Sequence, residues 1–258
     1  MKALDAGHVI AGVDGCKAGW VATMRAPGGK PAATVFPTFR ELLETLPQDA
    51  VVAVDMPIGL PDFTHKGGRG PEALVRRFLG DRQSSVFSIP SRSALYAHVE
   101  PFSTVERWYE GHRSASAAAR ATSEPARGVS IQAFGIFPKI REIDGLMIAR
   151  PELRDRVFES HPEVAFWRLN GGQAMRLPKK VKNNVNPAGM AERRALLVGL
   201  GMPADFVEAP PPRGAAVDDF LDASALLFIA ARLARGEARP FPDPPGFDSH
   251  GIPIAIWA

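Results

Sequence analysis

Only one cysteine, Cys16, stands among the 258 residues, so no disulfide can form within the chain and a packed core must stabilise it. No histidine lies close to Cys16 in sequence to activate its thiol, and a structural cysteine is the plain reading. No apolar run approaches the length that spans a bilayer, which excludes a transmembrane helix. An excess of one charge is also lacking. Against 31 basic residues stand 28 acidic ones, a net +3, so no global field draws the chain to a polyanion. The opening stretch MKALDAGHVIAGVDG is broken by Asp5 and His8 where a secretory signal would be apolar, and cytoplasmic residence is the expectation. There is no internal repeat. What the chain does have is an ordinary globular balance, 45% hydrophobic and 23% charged. Its length suits one domain over 1–258, with 57–150 as an insertion.

The apolar patterning predicts an α/β fold. Residues 8–13 (HVIAGV) form a buried run that ends at Asp14, and 19–25 and 32–36 are also strand-like. Pro27, Gly28 and Gly29 punctuate them, which reads as an antiparallel meander. Thr38 and Glu41 have the spacing of a capping box, Leu42, Leu43 and Leu46 make a helical stripe, and Pro47 stops it. The run AVVAV (50–54) is apolar throughout, as a strand covered on both faces would be, and it ends at Asp55. A helical crossover before it makes it parallel to the first strand. Neighbouring parallel strands would bring Asp14 and Asp55 out at one edge of the sheet, where open α/β sheets bind ligands. Further on, 57–100 reads as irregular, 101–121 and 131–146 as helices, and 156–159 as a strand ending at Glu159. Helices are expected over 188–200 and 216–235, and GIPIAIW at the C-terminus reads as a last strand.

The acids fall in a pattern. Three apolar strands end in Asp14, Asp55 and Glu159, and the last long helix opens with Asp218, Asp219 and Asp222. Asp219 and Asp222 are three apart and Asp218 and Asp222 four apart, so either pair can share a helix face. Ionised carboxylates held together are costly unless a cation compensates them. Hard divalent ions, Mg²⁺ or Mn²⁺, suit such all-oxygen sets and would activate water against a phosphodiester. Singly, each acid has a plainer reading as a turn residue or a favourable charge at a helix N-terminus. His161 in Ser160-His161-Pro162 reads equally as a general base or as a hydrogen-bonded turn histidine. Basic residues concentrate in two stretches, 65–92, which ends at Arg92, and 176–194, which holds Lys179, Lys180 and Lys182. These four side chains are the candidates for phosphate contacts, and nucleic acid is the expected partner.

The stretches GVDGCKAGW (12–20), VAVDMPIGLP (52–61), VFSIPSR (86–92), ESHPEVAFWRLNG (159–171) and VDDFLDASA (217–225) together resemble the family called Domain of Unknown Function 429. That family is regarded as one of RNase H-like nucleases. The resemblance implies an RNase H-like fold, a central mixed five-stranded sheet flanked by helices. It also implies metal-binding acids at Asp14, Asp55, Asp219 and Asp222, with Glu159 and His161 in a motif of the family's own. The layout is similar to the Holliday-junction resolvase branch, which carries glutamate where this chain has Asp55. The expected activity is that of a metal-dependent nuclease or phosphodiesterase. Two alternatives stand beside it. One is a non-catalytic nucleic-acid-binding protein on the same fold. The other is an actin-like or sugar-kinase-like phosphotransferase, against which Asp14-Gly15-Cys16 lacks the Asp-x-Gly spacing of a phosphate turn.

Overall fold

The computed structural model describes residues 2–182 and 184–258. In chain order its elements are β1 (Ile10–Cys16), β2 (Gly19–Arg25), β3 (Ala32–Phe36), α1 (Phe39–Thr45), β4 (Val51–Val54), β5 (Thr64–His65), α2 (Pro71–Val75), α3 (Arg92–Tyr96), α4 (Val105–Ala121), β6 (Ser123–Glu124), α5 (Ile131–Gly135), α6 (Phe137–Ala149), β7 (Val157–Glu159), α7 (Pro162–Leu169), β8 (Lys180–Val181), β9 (Asn184–Val185), α8 (Pro187–Gly199), α9 (Ala204–Glu208), α10 (Val217–Ala234), β10 (Pro240–Phe247) and β11 (Pro253–Trp257). The central sheet has five strands in the order β3-β2-β1-β4-β7. β1, β2 and β3 form the antiparallel meander, while β4 lies parallel to β1 and β7 parallel to β4. This mixed sheet between helices is consistent with an RNase H-like layout.

Local chemistry explains the crossover. The Thr38 side chain accepts from the Glu41 N–H at 3.1 Å and starts α1, whose Leu42 and Leu43 bury against the sheet. Strand alternation then sorts the core. Ala11, Val13, Val52 and Val54 pack in one cluster with residues of α1 and α6. Ile10 and Ala53 pack in the other with α7, α8 and α10. On β1 the α10 side is therefore Ile10, Gly12 and Asp14, and on β4 it is Ala53 followed by Asp55. Gly12 is small for a reason, because a Cβ there would overlap the backbone of Ala223 and Leu227 in α10. The helix can press directly onto the strand.

Segment 57–150, expected as an insertion, runs between the neighbouring strands β4 and β7. It holds the short helices α2 and α3 within the stretch read as irregular. The helix expected over 131–146 is two helices meeting at Ile136, and α6 extends to Ala149. Pro138 lacks the N–H that a continuous helix would need, and it sits instead in the first turn of α6. The C-terminal strand exists as β11, but it pairs antiparallel with β10 in a separate ribbon. β10 carries Pro240, Pro242, Pro244 and Pro245, which a two-stranded ribbon tolerates on its open edge. No helix among the described residues is long and apolar enough to cross a membrane.

Candidate active site

β1 and β4 bring the first two acids together. The Asp55 N–H donates to the Val13 carbonyl at 2.8 Å, which continues the parallel ladder and sets Asp55 beside Asp14 at the carboxyl edge. α10, seated on Gly12, supplies the acids from below. Asp222 is buried, and its field and that of Asp219 both reach Asp14. Asp219 is also a capping residue, its Oδ2 accepting from the Ala216 N–H at 3.0 Å. Asp218 turns the other way and pairs with Lys180 at 2.6 Å. Asp222 and, more weakly, Asp219 therefore act on Asp14, while Asp218 is paired with Lys180.

The electrostatics follow from crowding. Burial, then Asp55 and Asp222, push the Asp14 carboxyl well above the ordinary aspartate range. Burial pushes Asp55 up to about 7 against the pull of Lys179, and Asp222 up to about 6 against the same lysine. Lys179 lies among these acids and is ion-paired with Asp222. Burial alone would lower its pKa, but Asp222, Glu163 and Asp14 outweigh burial and hold it above the usual lysine value. It reads as a resident countercharge, where the sequence offered it only as a phosphate ligand.

The other expected site residues have other partners. Glu159 accepts from Arg69 at 2.6 and 3.0 Å and from the Ile58 N–H at 2.7 Å. Its register partner Val54 belongs to the face opposite the α10 side, so Glu159 points away from Asp222 and anchors segment 58–69. Burial still pushes it up to about 7 against Arg69. His161 caps α7: its Nδ1 accepts from the Glu163 N–H at 3.2 Å and its Nε2 faces the Ser85 carbonyl at 3.3 Å. Both nitrogens are occupied, and burial, aided by Lys179, pushes it down to about 4, which keeps it neutral. That geometry fits the turn reading better than the general-base one. Arg92 is ion-paired with Asp144 and Asp248, so its donors face inward rather than toward a phosphate. Lys182 is exposed and has a left-handed backbone, φ 49°.

Above Asp14 and Asp55 opens a cleft of about 180 Å³, with Arg69, Glu159 and His161 deeper in its wall. Met56, Pro57, Phe87, Ile89 and Ile136 make much of it apolar. Lys139 lines it too, its Nζ donating to the Gly19 carbonyl at 2.5 Å and lying 4.5 Å from the centroid of Trp20. A Cβ on Gly15 would come within 2.9 Å of the Lys139 side chain, so Gly15 leaves room for the lysine beside Asp14. Sequence reasoning missed Lys139, Arg69 and Glu163, because Gly19, Glu159 and Lys179, which meet them, lie on distant elements.

The donor set fits a hard cation in kind. Asp222 Oδ1 is buried without a hydrogen-bond partner among the described residues, and the neighbouring acids are all oxygen donors. As they stand, no three His, Cys, Asp or Glu side chains among the described residues converge on one point. Lys179 is ion-paired with Asp222 there. No curated protein and no solved structure matches the chain. The model of the family described as Protein of unknown function (DUF429) matches residues 12–246, nearly the whole of the sheet, the intervening segment and α10, and the chain belongs to that family.

Proposed function

We propose that this protein is a divalent-metal-dependent nuclease or related phosphodiesterase acting in the cytoplasm, with Mg²⁺ or Mn²⁺ held by Asp14, Asp55 and Asp222 and with Asp219 beside them. One observation supports this most: acids from three separate elements are buried within one another's field, two of them lining a cleft, and one lysine stands against them. Such crowding works against stability unless function needs it. When bound, divalent ions would supply an activated water and stabilise the leaving oxygen of a phosphodiester. The chain's own groups have separate tasks. Asp55, which burial holds near 7, releases its proton as it takes up a ligand, and Asp14 is raised in the same direction by burial and by Asp55. Lys139, which lines the cleft, would neutralise a phosphate there, and Lys179 would remain the countercharge of Asp222. The apolar walls exclude water around them.

Incubating the protein with labelled single-stranded, duplex, hybrid and branched nucleic acids in Mg²⁺ or Mn²⁺ tests this reading. Cleavage is expected, and Asp14→Asn should lower it by at least about a hundredfold while the protein stays folded. A second reading is a nucleic-acid-binding protein without turnover, in which Lys179 takes the cation's place permanently; its ion pair with Asp222 is the observation in its favour. That reading expects salt-sensitive binding and no cleavage in either metal.

A further inference from the structure

Next to the acid cleft lies a second, larger one of about 390 Å³, built wholly from segment 57–150. The two share Phe87 and Ile89 in their walls, so a ligand can pass from one to the other across a half-buried aromatic ring. The second cleft differs in character. Ser88, Ser123 and Ser130 line it but serve the fold: Ser88 bonds Arg76 and the Gly67 carbonyl, Ser123 the Ala119 carbonyl and the Arg127 N–H, and Ser130 caps α5. Four other lining side chains, His65, Ser84, Arg127 and Gln132, are exposed and make no side-chain hydrogen bond or ion pair among the described residues. Their polar ends are therefore available to a ligand. They are richer in donors than in acceptors, and two of them are cationic or can become so, which suits phosphate, sugar hydroxyls and base edges.

The acid cleft constrains what this ligand is. At about 180 Å³ between walls such as Met56, Phe87 and Ile136, it admits one phosphodiester unit and not the width of a duplex. We infer that the second cleft binds the nucleotide flanking the one over Asp14 and Asp55, so that the substrate is single-stranded nucleic acid crossing Phe87. Arg127 faces its phosphate, Gln132 and Ser84 its base or sugar, and Phe87 offers a ring for stacking. Base–aromatic stacking and backbone neutralisation are how single strands are held without regard to sequence. This inference rests on the nuclease reading for the direction of the strand, but its binding claim can be tested apart from cleavage.

The test is fluorescence anisotropy of short labelled oligothymidylate and oligoadenylate, and of a matching duplex, read in EDTA so that turnover plays no part. Arg127→Ala/Gln132→Ala changes two exposed side chains outside the acid cleft, and hydrolysis of bis(p-nitrophenyl) phosphate is followed in parallel. Single strands are expected to bind more tightly than duplex, and the double variant to bind them about tenfold more weakly. Its salt slope should fall by about 0.7, the value of one neutralised phosphate on a single strand. Phe87→Ala should also weaken binding and Phe87→Trp restore it. Whatever hydrolysis the wild type performs on the small diester should be unchanged in the double variant. Loss of oligonucleotide binding in the variants of a protein that hydrolyses nothing would uphold the subsite and sink the nuclease reading. Equal affinity for duplex, or a double variant that binds single strands as the wild type does, would overturn the inference whether or not hydrolysis is found.

Discussion

At the level of single side chains, the Asp55 carboxyl sets the clearest expectation. Burial holds it near 7, against 3.8 for an unburied aspartate, so between those values the folded state carries a proton that the unfolded state has lost. Stability from this group is thus fully present at low pH and lost as pH rises toward and through 7. The slope is on the order of 1.4 kcal/mol per pH unit for one carboxyl. His161 works in the opposite sense below its ordinary value, since its folded pKa is depressed to about 4 and the unfolded state takes up the proton first. A comparison with Asp55→Asn separates the two, because His161 is common to both proteins. Denaturation midpoints measured in EDTA from pH 4.5 to 7.5 should show the variant gaining on the wild type as pH rises. A constant difference across that range would mean that Asp55 is not buried among acids. Asp14 and Asp222, also raised by burial, add to the fall of wild-type stability with rising pH, and the pull of Lys179 on Asp55 and Asp222 limits it.

At the level of elements, the contact between β1 and α10 carries the site. Gly12 lets the helix approach, and the approach brings Asp222 and Asp219 within the field of Asp14. Gly12→Ala would drive a methyl into the backbone of α10, where no rotamer change can relieve it. A loss of at least about 3 kcal/mol is expected by urea denaturation, and a loss below 1 kcal/mol would contradict the described packing. The same elements were those most legible in the sequence. β1, β4 and α10 are long or wholly apolar runs bounded by turn residues and acids, so periodicity, caps and crossover handedness were enough to bring Asp14 and Asp55 to one edge. The division of α5 from α6 hinged on Pro138, whose role depends on whether it opens a helix or interrupts one. β10 was illegible because four prolines argue against a strand unless its open edge is known. The partners of Glu159, His161 and Arg92 were hidden for another reason: Arg69, Ser85 and Asp248 meet them only after the segment between β4 and β7 and the C-terminal ribbon have folded over the sheet.

At the level of the whole molecule, that fold-over is held by a buried network. Arg92 at the start of α3 joins Asp144 of α6 to Asp248 beyond β10, and the Tyr96 hydroxyl donates to Asp144 at 2.7 Å. Arg69 ties Glu159 of β7 to Glu72 of α2 in the same way. Together they fix segment 57–150 as one wall of the acid cleft and the frame of the polar cleft beside it. Within that frame, we propose, the acids at the sheet edge bind divalent metal. Calorimetric titration of Mn²⁺ into the wild type and into Asp14→Asn/Asp55→Asn at pH 6.5, in two buffers of different ionisation heat, tests it most directly. Binding by the wild type with release of protons from the crowded acids is expected, and its loss in a folded double variant. Absence of binding by the wild type, with and without nucleic acid, or undiminished binding by the double variant, would contradict it.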